Sequence, residues 1–222
     1  MQTHHLTENE KRILAETYGD SERLANENLY EYQEIALEQL RTATRYLDEK
    51  YPGHTLRVNS FDPANKYNGH ATLILLDEAE KSYTLTVSAE VGTYQCTDDY
   101  YSVFLRGRYD DYIRDLLMRG GWDALCHTDF PELRGKEITG KEEIPEILEQ
   151  RPPLMKTTHI FLYNDTDHEI ASKEVENIFR NAAIYGSCTL FFVSGQADRD
   201  IAVLEKSRRE FQRHAFNYFD AD

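Results

Sequence analysis

The stretch CTDDYYSVFLRGRYDDY, residues 96–112, contains two clusters of carboxylates and tyrosines that could bind a metal ion or take part in acid–base chemistry. In a helix, Asp99 and Asp110 would share a face but lie about 16 Å apart along the axis, too far apart to hold one ion. In a hairpin, Phe104 and Leu105 would occupy a turn that normally requires Gly, Asn or Asp. Neither geometry supports a metal or acid–base site.

A structural interpretation of the same stretch is a helix with an acidic end. Asp98 or Asp99 would cap this helix. Its buried side would consist of Tyr101, Leu105, Tyr112 and Leu116. Tyrosine offers a large contact area with a polar tip, so the groups left outside would suit a protein interface. We therefore predict a partner-binding surface made of Asp98, Asp99, Tyr100, Tyr109, Asp110 and Asp111.

The segment NDTDHEIASKEVE matches part of a calcium-loop pattern. Positions 1, 3, 5 and 12 of that pattern are occupied by Asp165, Asp167, Glu169 and Glu176. Position 6 requires Gly for a sharp turn but holds Ile170, and a predicted strand precedes the segment where the motif has a helix. We expect a loop that leads into a helix capped by Ser172, and no metal site.

Two further groups of residues resemble parts of catalytic sites. Cys126, His127 and Asp129 are close in sequence, but sequence neighbours rarely converge as a nucleophile and its base must. Ser194 follows a predicted strand, yet the nucleophile-elbow pattern requires Gly where Phe192 stands. No phosphate-loop, dinucleotide, metalloprotease or kinase motif occurs. We predict no catalytic residue and no cofactor, with a hydrolase site assembled from distant segments as the alternative.

The charge balance favours a basic protein partner. The chain has 40 Asp and Glu against 25 Lys and Arg, a formal net charge of −15. Such a surface repels nucleic acid and accelerates encounter with a basic protein, although acidity also serves solubility alone. The one notable basic block is the short segment 206–209. We predict a non-catalytic acidic binding or inhibitor-type protein.

The chain lacks an apolar run of the roughly 20 residues that a membrane-spanning helix needs, so we predict no membrane insertion. The first ten residues lack a signal-peptide pattern, which indicates the cytoplasm. An exported or lipid-anchored domain without its leader would have the same sequence. Three scattered cysteines fit no disulfide framework and no zinc spacing.

Apolar spacing predicts an α+β fold. Thr7 to Glu10 form a capping box, and an apolar stripe from Leu29 to Leu47 indicates a long helix. Alternation of period two then predicts an antiparallel meander, with strands around residues 56–58, 70–76 and 83–91.

The remaining chain favours a β-α-β-α unit. We predict a Pro/Gly-rich connector over residues 121–156, between an N-terminal half, 1–120, and a C-terminal half, 157–222. The last two helices are expected over 172–185 and 198–211. One continuous domain with a single mixed sheet is the alternative.

Overall fold

The computed structural model describes residues 5–65, 67–90, 93–130, 134, 137–150, 153–163, 167–194 and 199–218. The chain forms two units, and each has its own four-stranded sheet. Unit 1 comprises Met1–Tyr100 with Leu133–Thr139, and unit 2 comprises Tyr101–Glu132 with Gly140–Asp222. The mixed α+β fold is confirmed, and the two sheets replace the single continuous sheet that we considered as an alternative.

Unit 1 places helices before an antiparallel meander, as predicted, with one short helix more than the two expected. The helices are α1 (Glu8–Tyr18), α2 (Ser21–Ala25) and α3 (Glu31–Lys50). The strands are β1 (Arg57–Asp62), β2 (His70–Leu76), β3 (Ser82–Glu90) and β4 (Thr93–Asp98). They pair in sequence order, each antiparallel to the next. The fourth strand was not predicted.

The local signals in unit 1 act as expected. The Glu10 amide donates to Thr7 Oγ1 at 3.2 Å and the Thr7 amide to Glu10 Oε2 at 2.7 Å, which completes the capping box. Gly19 ends α1 in the left-handed region, with φ of 73°. The inner stripe of α3 is buried against β3 and β4, and it includes Ala36, Leu37, Leu40, Ala43 and Leu47.

Asp98 ends β4 and is fully buried. The prediction that Asp98 or Asp99 caps the following helix is wrong, because the N-cap position is Tyr101 and no side chain caps the helix.

Asp98 Oδ2 accepts hydrogen bonds from the Tyr46 hydroxyl at 2.5 Å and from Lys50 Nζ at 2.7 Å. Its Oδ1 accepts from the Tyr51 hydroxyl at 2.8 Å and from the Tyr100 amide at 2.9 Å. This carboxylate therefore ties the C-terminal end of α3 to the end of the sheet.

Unit 2 contains the predicted β-α-β-α order with additional elements around it. Its helices are α4 (Ser102–Arg119), α5 (Ile144–Leu148), α6 (His168–Asn181) and α7 (Ile201–Ser207). Its strands are β5 (Ala124–Asp129), β6 (Thr157–Tyr163), β7 (Gly186–Val193) and β8 (Gln212–Tyr218). The sheet order is β5-β6-β7-β8, and only the pair β6 and β7 is parallel among these strands.

Three expectations for unit 2 need correction. The segment 121–156 is more than a connector, because it contains β5 and α5. The helix α4 belongs to unit 2, although it precedes residue 121 and was expected in the N-terminal half. The last helix ends at Ser207, and β8 begins at Gln212 after a short 3₁₀ turn. On α4 the buried positions are Leu105, Tyr109, Ile113 and Leu117, so Tyr112 and Leu116 are only half-buried.

Replacing Asp98 with Asn should destabilise the protein by about 3–5 kcal/mol, because the buried Lys50 ammonium would lose its carboxylate partner. The control is Asp111→Asn, since Asp111 is exposed and pairs with Arg114 on the surface of α4. That change should alter stability by about 0.5 kcal/mol or less. Urea unfolding of both variants checks the difference, and equal midpoints would contradict the structural role of Asp98.

Candidate functional site

The six residues predicted as a partner surface do not form one. Asp98, Tyr100 and Tyr109 are 0%, 4% and 0% exposed, so none of them can contact a partner. Asp99 is half-buried and accepts a hydrogen bond from the Thr84 amide at 2.9 Å.

The second half of the predicted cluster lies on α4. Asp110 is half-buried, and only Asp111 of the six is exposed. The two clusters were expected on one helix, but the first belongs to the end of β4 and the second to the middle of α4. Tyr109 enters the core because it lies four residues after the buried Leu105, on the same face of the helix.

Exposed aromatic side chains occur instead at the start of α3, and the sequence analysis missed them. Tyr30, Tyr32 and Ile35 are 45%, 52% and 45% exposed. The rings of Tyr30 and Tyr32 stack with centroids 5.4 Å apart, and Tyr18 meets Tyr32 edge to face at 5.1 Å. The Arg23 guanidinium covers the Tyr30 ring at 3.7 Å. We call Tyr18, Tyr30, Tyr32 and Ile35 the aromatic cluster.

A groove of about 650 Å³ lies beside this cluster, between α3 and β4. It is lined by Glu31, Glu34, Ile35, Leu37, Glu38, Arg41, Thr42, Arg45 and Tyr94. Arg41 Nε donates a hydrogen bond to Glu10 Oε1 at 2.6 Å, so the positive charge of Arg41 is balanced by a carboxylate of α1. The Tyr94 hydroxyl donates to Glu38 Oε2 at 3.1 Å and holds that carboxylate at the groove. We call this the acidic groove.

A smaller hollow of about 360 Å³ shares Ile35 with the acidic groove. Its lining is Thr17, Tyr18, Tyr32, Ile35, Asp62, Pro63, Ala64 and Asn65. Burial, together with the nearby Tyr32 and Asp62, raises the pKa of Tyr18 to about 12. The Tyr18 phenol is therefore neutral at physiological pH, and among the described residues of this lining Asp62 is the charged one.

Unit 2 has a cleft of about 420 Å³ between α6 and β8, with Phe192 of β7 in its lining. His214 Nε2 and Glu176 Oε1 are 2.7 Å apart in the cleft, although they come from β8 and α6. The His168 ring stacks on Phe192, with centroids 3.9 Å apart. This histidine and carboxylate pair was not apparent from the sequence, since 38 residues separate its members.

The residues Cys126, His127 and Asp129 lie on β5 without forming a catalytic arrangement. Neighbouring side chains on a strand point to opposite faces, which separates Cys126 from the other two. Burial raises the pKa of the Cys126 thiol well above its ordinary value, so the reactive thiolate is disfavoured. His127 Nε2 lies 3.6 Å from Asp129 Oδ1. The directly opposite residue on β6 is His159, whose Nδ1 bonds Glu205 Oε1 at 2.7 Å.

The calcium-loop segment serves mainly to start α6. Asp167 caps the helix by accepting from the amides of Glu169 and Ile170, so the expectation of a Ser172 cap is wrong. The Ser172 hydroxyl donates to the His168 carbonyl inside the helix, at 2.6 Å. Asp165 lies outside the described residues, as does Asp198, the expected start of the last helix.

Within the part of the chain that the structure describes, no three His, Cys, Asp or Glu side chains are grouped to hold a metal ion. No helix in that same part is long and apolar enough to cross a membrane. The chain matches no known family model, and neither a curated protein nor a solved structure is significantly similar to it. Function has to be argued from its own residues.

Lys156 and Asp110 of unit 2 have pKa values that burial shifts towards neutrality. Burial lowers the pKa of Lys156 to about 7. Its Nζ donates a hydrogen bond to the Leu154 carbonyl at 3.2 Å and lies 5.1 Å from the centroid of the Tyr109 ring. Burial raises the pKa of Asp110 to about 7, although a hydrogen bond from Thr128 acts in the opposite direction and lowers that pKa. These shifts make the stability of unit 2 sensitive to pH.

The free energy of unfolding should rise as pH increases from about 7 to 9, below the ordinary pKa of the buried thiols of Cys126 and Cys188. Over this range the unfolded chain binds a proton at Lys156 that the folded chain has released. Lys156→Met should remove this slope and stabilise the protein at pH 7 by a few kcal/mol, on the order expected for a shift of this size.

The control for this prediction is Asp110→Asn. The folded chain retains a proton on Asp110 between about pH 3.8 and 7 that the unfolded chain releases, so this group makes stability fall as pH rises over that range. Asp110→Asn should therefore change the profile below pH 7 and leave the Lys156 slope intact. Urea unfolding across pH measures both, and an unchanged slope in Lys156→Met would contradict the assignment.

Proposed function

We propose that the chain is a non-catalytic acidic binding protein that engages a basic protein partner through the acidic groove and the aromatic cluster. The observation that carries this proposal is the coincidence on α3 of exposed aromatic side chains with a groove that contains three glutamates. The proposal keeps the partner chemistry predicted from the sequence and moves the binding surface from residues 98–112 to α3.

Electrostatics favours a basic partner at this groove. Glu31, Glu34 and Glu38 face two arginines in its lining, and one of these, Arg41, is already bound to Glu10. The net charge of −15 extends the negative field beyond the groove. Such a field raises the rate of encounter with a cationic surface and makes that rate fall with added salt.

The aromatic cluster supplies the apolar contact area that a charged surface alone lacks. Tyrosines give rigid apolar contact area with few rotatable bonds, and they are enriched among residues that dominate binding energy. Tyr30 and Tyr32 are held in place by their stacking and by Arg23, so little ordering entropy is lost on binding. Rim carboxylates would accelerate association, and the tyrosines would slow dissociation.

The test neutralises the groove without changing its shape, through Glu31→Gln, Glu34→Gln and Glu38→Gln combined. Partners recovered by affinity capture at low and moderate salt are purified and their binding rates measured. We expect the triple variant to associate about tenfold more slowly at low salt and to show a weaker salt dependence. Dissociation should change little.

The matched control removes three charges elsewhere, at Asp115, Glu149 and Glu174, which are all exposed in unit 2. The control should retain most of the parent association rate at moderate salt, where distant charges are screened. If both triple variants bind alike, or if no basic partner is recovered, the acidity serves solubility alone and the proposed function is wrong.

A second candidate function is a hydrolase, and the cleft in unit 2 is the observation that favours it. Glu176 and His214 come from distant segments and form a hydrogen-bonded pair suited to general-base catalysis. The cleft volume of about 420 Å³ is within the range of small-molecule sites. The nucleophile would be a water molecule. The His214 imidazole would accept its proton, and the Glu176 carboxylate would hold the imidazole in orientation.

Chromogenic ester, phosphate and glycoside substrates test this candidate. If the cleft is catalytic, His214→Gln should reduce the rate about a hundredfold or more, within the contribution typical of a general base. His159→Gln is the control, because His159 also pairs with a glutamate but lies outside the cleft lining. The absence of turnover, or equal loss in both variants, would reject the hydrolase.

A further inference from the structure

We infer that the hollow lined by Tyr18, Tyr32, Ile35, Asp62 and Pro63 is a pocket for a lysine side chain of the basic partner. The inference rests on the proposed function for the source of the lysine, and it adds the chemical group that is recognised. The hollow joins the acidic groove at Ile35, so a basic segment in the groove could place one side chain in it.

The two tyrosines provide a surface that attracts cations. Their rings meet at 62° with centroids 5.1 Å apart, so they form two walls of a corner. One face of the Tyr32 ring is covered by Tyr30, and an ammonium placed over an open ring face is attracted by the negative potential of the π-system. The chain itself uses this attraction next to the hollow, where Arg23 lies over Tyr30.

Asp62 provides the charge complement. It is exposed at the end of β1, and its proximity contributes to the raised pKa of Tyr18. One of its oxygens, Oδ2, has a long hydrogen bond of 3.4 Å from Asn68 Nδ2. Among the described residues the lining contains no basic side chain, so Asp62 is the charge that an incoming cation would meet there.

The shape and the hydrogen bonds favour lysine over arginine. Ile35 and Pro63 are apolar, and they suit the four-carbon stem of lysine, which packs well on apolar surface. A guanidinium binds best to a carboxylate that presents both oxygens as a pair. Because Asn68 already engages one oxygen of Asp62, the compact ammonium is the better match.

The test titrates the full chain with three capped amino acids, lysine, N-ε-acetyl-lysine and arginine, while NMR follows the residues of the hollow. We expect capped lysine to bind and the acetylated form to bind about tenfold more weakly, because acetylation removes the positive charge. Equal binding of the two lysines would overturn the inference, since it would indicate a simple apolar hollow. Tighter binding of capped arginine would likewise overturn the choice of lysine.

Two variants locate the site. Tyr32→Leu removes a π-face but keeps apolar bulk, and Asp62→Asn removes the charge but keeps the shape. Each should weaken capped lysine about tenfold. The matched controls are Tyr112→Leu and Asp111→Asn in unit 2, which should bind as the parent does. Parent-like binding by both hollow variants would overturn the assignment to this hollow.

Failure of the pocket and failure of the proposed function are distinguishable. If a basic partner binds and depends on the groove glutamates but is unaffected by Asp62→Asn, and capped lysine does not bind in the hollow, the pocket is wrong and the proposed function stands. If capped lysine binds in the hollow but no basic protein partner is recovered, the pocket stands and the proposed function is wrong.

Discussion

The buried carboxylate of Asp98 is the constraint on which unit 1 depends. An ionised carboxylate is costly to remove from water unless charge and hydrogen bonds compensate for its lost hydration, and Lys50, Tyr46 and Tyr51 supply them from α3 and its C-terminal end. These bonds fix the rotation of α3 against the end of β4. Since Ala36 and Leu40 face the sheet on the same helix, the side chains on the opposite face are committed to solvent.

The candidate binding surface follows from that rotation. Tyr32, Ile35 and Glu38 occupy the outward face of α3, and the edge strand β4 contributes Tyr94 as a wall. An amphipathic helix normally presents polar groups outward. Exposed tyrosine and isoleucine beside carboxylates depart from that pattern, which is the physical reason that we propose this face for recognition.

Unit 2 distributes its polar groups differently. The histidine and glutamate pair lies in the cleft between α6 and β8. Lys156 and Asp110 have pKa values shifted by burial, and they make the core, rather than the surface, responsive to pH. The two units thus carry separate candidate chemistries, one based on surface charge and one based on a hydrogen-bonded imidazole.

The sequence by itself determined the elements whose signals are local, namely the capping box at Thr7, the stripe of α3 and the alternating strands of the meander. It did not predict β8, which is an exposed edge strand. The polar and apolar residues of β8 alternate too weakly to distinguish a strand from a continuation beyond the helix expected over 198–211. Nor did it decide which tyrosines and carboxylates are exposed. Asp98 and Tyr109 are buried while Tyr32 and Glu38 are exposed, because burial depends on partners that lie up to 52 residues away in the chain. Only the tertiary structure brings those partners together.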